Sequence, residues 1–173
     1  MFFDFCELRD CLARVGQHRA FITVAQAFAG EYDAEGATAI VRCDVERNPE
    51  HAAQVANMLR DMQIRASFYF HTRKECYDTS VLNEIRDAGH EIGYHHECLD
   101  RCAGDFESAR QLFLREVQRF GQDGFALRTV CSHGESGLPK HGYKKNWELF
   151  ERYPELLQQA GGWRKFIRWF CLI

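Results

Sequence analysis

Val41-Arg42-Cys43-Asp44-Val45-Glu46 closes a run of mostly apolar residues that begins at Ala37. Ala37 to Cys43 reads as a strand apolar enough to be buried on both faces. It runs directly into two acids spaced one residue apart, Asp44 and Glu46. Later strand-like runs end as abruptly on imidazoles, at Tyr94-His95-His96-Glu97 and Val130-Cys131-Ser132-His133-Gly134. Acids and imidazoles at the ends of successive strands are the material of a hydrolytic metal site.

Outward from that run, helical and extended patterns alternate. Phe5, Leu8, Leu12 and Val15 share a helical face, with Gly16 where a C-cap would stand. Phe21 to Val24 fits a short strand or a helix start, and Gly30 to Gly36 an acidic loop. Asn48-Pro49-Glu50 opens a helix whose stripe is Ala52, Val55, Leu59 and Met62. Ala66 to Phe70 is a second strand. Val81, Leu82, Ile85 and Ala88 mark a helix stopped by Gly89, and Glu91 to Tyr94 is a third strand. Asp105 caps a helix with Phe106, Ala109, Phe113, Val117 and Phe120 on one side and Gly121 after it. Ala126 to Cys131 is the fourth strand, and 144–160 reads as mostly helix, interrupted at Tyr153-Pro154.

Repeated βα units predict parallel strands joined by helical crossovers, with functional residues at the carboxyl ends of the strands. That rule gathers Asp44 and Glu46, His71, His95 and His96, and His133 on one end of one sheet.

The 173 residues suffice for a buried core. A net charge of −3 with both signs interspersed argues against nucleic acid as a partner. No apolar run is long enough to cross a bilayer, and the N-terminus lacks the pattern of a signal peptide. The eight cysteines are scattered, with no Cys-x-x-Cys pair. The expectation is therefore reduced thiols, several of them in the core, and a cytoplasmic protein.

Imidazole plus carboxylate suits a divalent ion, zinc first and iron, cobalt or nickel as alternatives. Two acids one residue apart can divide the work, one facing the ion and one the water.

Ile40 to Glu46 resembles the first motif of the polysaccharide deacetylase-like (NodB homology) family, in the branch associated with bacterial surface-polysaccharide genes. Gly89-His90-Glu91-Ile92-Gly93-Tyr94-His95 resembles the second motif. Cys131-Ser132-His133-Gly134, continuing through Gly137 to Lys140, is similar to a Ser-x-His-Gly segment of that branch. The resemblance covers residues 5 to 160. It implies a (β/α) barrel, partial or distorted, with Asp44 as the base that activates water and Glu46 and His95 as metal ligands. The implied reaction removes an acetyl group from an N-acetylated sugar or polysaccharide. A small non-sugar amide is the alternative substrate, and a catalytically incomplete sugar-binding or remnant domain the alternative role.

This chain departs from the family at Leu99, where a second histidine stands four residues after the first. His133 can supply the missing ligand; His96 is less well placed. Nothing after His141 corresponds to the family's late histidine, and barrels of this type run to about 250 residues. The expectation is a domain over 1–160, its first 36 residues a helical lead-in, with an atypical aromatic and basic tail at 161–173 and a barrel cut short at its C-terminus. Oligomeric state is not legible.

Plainer readings exist for several of these residues. Asp44 and Glu46 can cap the loop before the next helix, His71 and His133 can be core hydrogen-bonding groups, and His90 can be structural or solvent-facing. Arg42 fits best as the partner of an acid inside the sheet. His95-His96-Glu97-Cys98, with Cys102, can form a small structural zinc cluster.

Overall fold

The computed structural model describes residues 4–33, 35–134 and 141–159. The expected single strand from Ala37 to Cys43 is divided at Val41 into β2 (Thr38–Ile40) and β3 (Arg42–Val45). Its first half pairs in parallel with β1 (Ala20–Ile22) and its second half with β4 (Ser67–Phe70). The Val41 carbonyl at the junction accepts the Ser67 N–H at 3.0 Å. The three-residue β1 resolves the ambiguity at Phe21 in favour of a strand, followed by the short helix α2 (Val24–Ala29).

The remaining strands are β5 (Glu91–His96) and β6 (Val130–Ser132), and the second sheet runs β3-β4-β5-β6 with every pair parallel. Strand order follows chain order, so each crossover advances by one position. The crossovers carry α3 (Pro49–Asp61), α4 (Thr79–Asp87), and α5 (Cys98–Arg101) with α6 (Phe106–Gln122). The chain is thus a mixed α/β structure with parallel strands in two sheets and helical crossovers. Among the described residues the four-stranded sheet is open, with β3 and β6 at its edges.

Local chemistry explains most helix ends. Before α1 (Phe5–Gly16), Asp4 accepts the Glu7 N–H at 2.8 Å while the Glu7 carboxylate accepts the Asp4 N–H, a reciprocal cap. Gly16 lies inside that helix, and Gln17 caps it. Asn48 precedes α3 in a left-handed conformation that Asn tolerates, and its side chain makes no capping bond. Pro49, preset for a first turn, opens the helix instead. Asp78 caps α4, and Gly89 with φ +91° follows it. Asp105 caps α6 as expected, but that helix runs past Gly121 to Gln122, and the left-handed residue after it is Gly124. The segment after 144 holds α7 (Glu148–Arg152) and α8 (Leu156–Gln159), separated at Tyr153-Pro154.

Alternation along the four strands gives the sheet two unlike faces. Val45, Phe68, Phe70, Ile92 and Tyr94 join Ala52, Ala56, Leu59, Leu82, Ile85, Phe113 and Phe120 in one apolar core. The helices cover this face. The opposite face carries Arg42 and Asp44, Ser67 and Tyr69, and Glu91 and Gly93 in register, with Cys131 opposite His95 and Thr129, just before β6, reaching the Tyr69 hydroxyl. β3 is therefore not apolar on both sides, which corrects the reading of that run. Its residues are half-buried up to Val45, because one face carries an ion pair and the other the core.

The polar face is closely fitted. A Cβ on Gly93 would lie 2.4 Å from the ring of Tyr69, so glycine lets that ring lie across β5. The Tyr69 hydroxyl meets Thr129 Oγ1 at 2.7 Å, and the Arg42 guanidinium sits 5.0 Å from the Tyr69 ring centre. Glu91 accepts from Ser67, from Thr129 and from the Ala25 N–H, tying α2 to the amino ends of the strands.

None of the described cysteines is in a disulfide, and Cys76 and Cys98 are buried. Among the described residues no helix is long and apolar enough to cross a membrane. The 161–173 tail and the Gly137 to Lys140 segment lie outside the described residues.

Candidate metal centre

Following the polar face to the carboxyl ends of β3, β4, β5 and β6 brings together Glu46, His71 and His133, each just past its strand, and His95, within the last paired residues of β5. One ligand atom from each lies within 4.8 Å of those of the other three. The register explains the convergence. Asp44 pairs with Tyr69, Gly93 with Tyr69, and His95 with Cys131. The residue two positions beyond Asp44, Tyr69 or Cys131 therefore points the same way at the same end.

The imidazoles form a tight triad. Ring centres of His71 and His95 are 4.6 Å apart, and His133 lies 5.2 Å from each. Glu46 Oε1 stands 3.1 Å from His133 Nε2 and 3.7 Å from His95 Nε2. A tetrahedral zinc with bonds of about 2.1 Å would set its donors about 3.4 Å apart. These two distances bracket that value.

Two buried nitrogens of the group lack hydrogen-bond partners among the described residues. His71 Nδ1 and His133 Nδ1 are buried and accept or donate no hydrogen bond among the described residues. Burial, reinforced by the neighbouring imidazole of His133 and the charge of Arg73, lowers the pKa of His71 to about 4. Burial and the adjacent His71 and His133 lower that of His95 to about 2. Both rings are therefore neutral at pH 7, with a nitrogen lone pair to offer. Three nitrogens and one carboxylate oxygen form a donor set that fits a divalent transition ion, with no ion type singled out.

Burial is graded across the site. His71 and His95 are each 2% exposed, and the Glu46 side chain is 52% exposed. The histidines make a closed floor, and the carboxylate stands at the open rim.

Asp44 lies beside this group, its Oδ2 3.9 Å from His95 Nε2. Arg42 grips it from beneath. Arg42 Nε donates to Oδ1 at 2.8 Å and Nη2 to Oδ2 at 2.7 Å, so the carboxylate has a single orientation. Asp44 also belongs to a second possible donor group with His95 and Cys131.

Supports arrive from other elements. The Cys76 thiol donates to the Glu46 carbonyl at 2.6 Å. The His133 N–H donates to the His96 carbonyl at 2.7 Å, and Asn146 Nδ2 reaches the His133 carbonyl at 3.5 Å. Asn146 is itself fixed by Asp100, to which Nδ2 donates at 2.8 Å. Glu97, 2% exposed, is paired with Arg73 and lies 3.9 Å from His71 Nδ1.

The structure thus assembles Glu46, His95 and His133, with Asp44 adjacent, and adds His71 as a fourth donor. His71 stands directly after β4, in the row that supplies the others; that position is the signal which identifies it. Leu99 is fully buried among core side chains in α5 and takes no part. His96 points to the opposite face, against Phe113 and Phe150. His90 is structural, bonded through both ring nitrogens to Ala66 and Ala56. The alternative zinc cluster of His95-His96-Glu97-Cys98 with Cys102 does not form, because Cys98 packs against Tyr94 and Glu116 on the helical side.

The chain matches no family model, no curated protein and no solved structure in the three comparisons made.

Proposed function

We propose that this chain is a metal-dependent amide hydrolase of the deacetylase type, built on part of a (β/α) barrel, which removes an acetyl group from an N-acetylated sugar. The observation that carries this reading is the convergence of Glu46, His71, His95 and His133 beside Asp44. Support for the barrel comes from the parallel strands in chain order, the helices on one side and the polar opposite face. Support for the sugar substrate comes from the deacetylase motifs around Asp44 and His95.

Glu46, His71, His95 and His133 would hold the ion, zinc being the first choice for such a set, and water would need a further position beside these four. A bound divalent ion supplies Lewis acidity, polarising an acyl carbonyl and making water a better nucleophile near neutral pH. The other tasks fall to the protein. Asp44, aimed by Arg42, takes a proton from the attacking water as its oxygen bonds to the acyl carbon. As the C–N bond breaks, protonated Asp44 returns that proton to the leaving amine. One carboxylate thereby does the work of base and acid. The buried histidine floor excludes water from below, and substrate enters past Glu46 at the exposed rim.

The test is metal analysis of the purified protein, together with acetate release from N-acetylglucosamine oligomers and from a small N-acetyl amide. One equivalent of a divalent ion and acetate release abolished by a chelator are expected. A metal content near zero after purification and after reconstitution would overturn the reading.

A further inference from the structure

His95 is held at one ring nitrogen, Nδ1, on the side away from the donor cluster, and the group that meets it there is a sulfur. Cys131 Sγ lies 2.9 Å from His95 Nδ1. The two residues are direct cross-strand partners in β5 and β6, so the contact is set by sheet register and not by a mobile loop. Nε2 faces the other way, 3.7 Å from Glu46 Oε1 and 3.9 Å from Asp44 Oδ2. With the ring 2% exposed, water cannot take over either role.

A neutral imidazole has one proton for its two nitrogens. If Nε2 is to offer a lone pair to a cation, the proton must reside on Nδ1, and Nδ1–H then needs an acceptor. Metal-bound histidines ordinarily give that proton to a carboxylate or a backbone carbonyl, which fixes the tautomer and the ring plane. Here the atom in that place is Cys131 Sγ. We propose that Cys131 is the positioning residue of the metal centre: it accepts the Nδ1–H of His95 and thereby turns the Nε2 lone pair toward Glu46, His71 and His133. This rests on the metal-centre reading above and adds a thiol on which that centre depends.

The geometry also predicts how substitutions rank. Serine keeps a lone pair at the same position on a shorter bond, so it should restore part of the interaction. Valine keeps the volume but cannot accept. Alanine removes both.

The experiment is titration of the metal-free full-length protein with Co2+, following visible absorption and affinity, for the wild type and for Cys131→Ser, Cys131→Val and Cys131→Ala. Thermal melting of each apo protein is measured alongside. The wild type should bind one Co2+ with an absorption spectrum of low coordination number. Cys131→Val should bind about 10- to 100-fold more weakly, with an altered spectrum and little change in apo melting temperature. Cys131→Ser should recover part of the affinity lost in Cys131→Val. Wild-type affinity in Cys131→Val, or a serine variant as weak as the valine one, would overturn the role of Cys131 while leaving the metal centre standing. Failure of the wild type to bind Co2+ would overturn the metal-centre reading, and the role of Cys131 with it.

Discussion

Arg42 and Asp44 stand two residues apart on one strand, and the guanidinium holds both oxygens of the carboxylate, at 2.8 and 2.7 Å. A carboxylate gripped in this way can still accept a proton through its remaining lone pairs, but it cannot turn. The pair adjoins His95 but is not itself among the four donors Glu46, His71, His95 and His133, so the carboxylate can be changed without removing one of them.

Asp44→Asn should keep the metal and lose hydrolysis, by about 10³-fold if Asp44 is the base. Arg42→Lys should be milder, since a lysine carries the charge but not the planar fork. About a tenfold fall in kcat with KM little changed is expected there, from a misaimed carboxylate. Metal content and acetate release measured on the same preparations check both. An Asp44→Asn variant with near wild-type turnover would remove Asp44 from the reaction.

His71 and Leu99 form a second contrasting pair. The deacetylase pattern calls for a histidine at 99, yet Leu99 is wholly inside the core and His71 fills the centre from the neighbouring strand. Leu99→His should leave metal affinity unimproved and cost about 2–4 kcal/mol of stability, because it buries a polar ring in place of an apolar one. His71→Ala should weaken metal binding by on the order of 100-fold or more, since it removes a donor outright. Urea unfolding of the first and metal titration of the second decide the matter. Tighter metal binding in Leu99→His would mean that α5 approaches the site.

What could be read from the sequence follows from which interactions are local. The alternation of apolar runs, the caps at Asp105 and Gly89, and the acid and imidazole endings of the strands are local, and they foretold the parallel βα order. The break at Val41 depends on β1 pairing with one half of a strand and β4 with the other, a non-local choice that hydropathy does not carry. The polar face was hidden for a related reason: Arg42, Tyr69, Glu91 and Thr129 look like scattered polar residues until register lines them up. His71 was visible as a strand ending, but only the closeness of four strand ends makes it a candidate donor. Ala126 to Thr129 reads as strand yet lies before β6, whose pairing begins at Val130.

His96 offers a stability prediction. It is fully buried, both ring nitrogens lack a hydrogen-bond partner among the described residues, and Tyr94, Phe113 and Phe150 surround it. An unpaired polar group in the core costs about 1–3 kcal/mol. His96→Leu removes that cost at similar volume and should raise stability by about 1 kcal/mol, read as a higher urea midpoint at unchanged slope. A clear loss of stability would mean that the imidazole has a partner of real worth.

His90 predicts how stability varies with pH. Its Nδ1 accepts the Ala66 N–H at 3.2 Å and its Nε2–H donates to the Ala56 carbonyl at 2.9 Å, so the folded protein needs the neutral ring with its proton on Nε2. Burial is the first cause that lowers its pKa, and the charge of Arg60 adds to it, while the Ala56 carbonyl opposes them. In the unfolded chain the imidazole titrates near about 6.5. Below that value the unfolded chain binds the extra proton and the folded one resists it, so stability is full above about pH 6.5 and declines as the pH falls. His71, His95 and His96 are lowered as well and act in the same direction. His90→Gln removes one titrating group. It should be less stable than the wild type at pH 7.5 yet lose less stability between pH 7 and pH 5, by at most about 1.4 kcal/mol per pH unit. Urea midpoints of the metal-free proteins across that range give the comparison. Parallel curves for variant and wild type would mean that His90 takes up its proton in the folded state, and that the Ala66 bond does not hold it neutral.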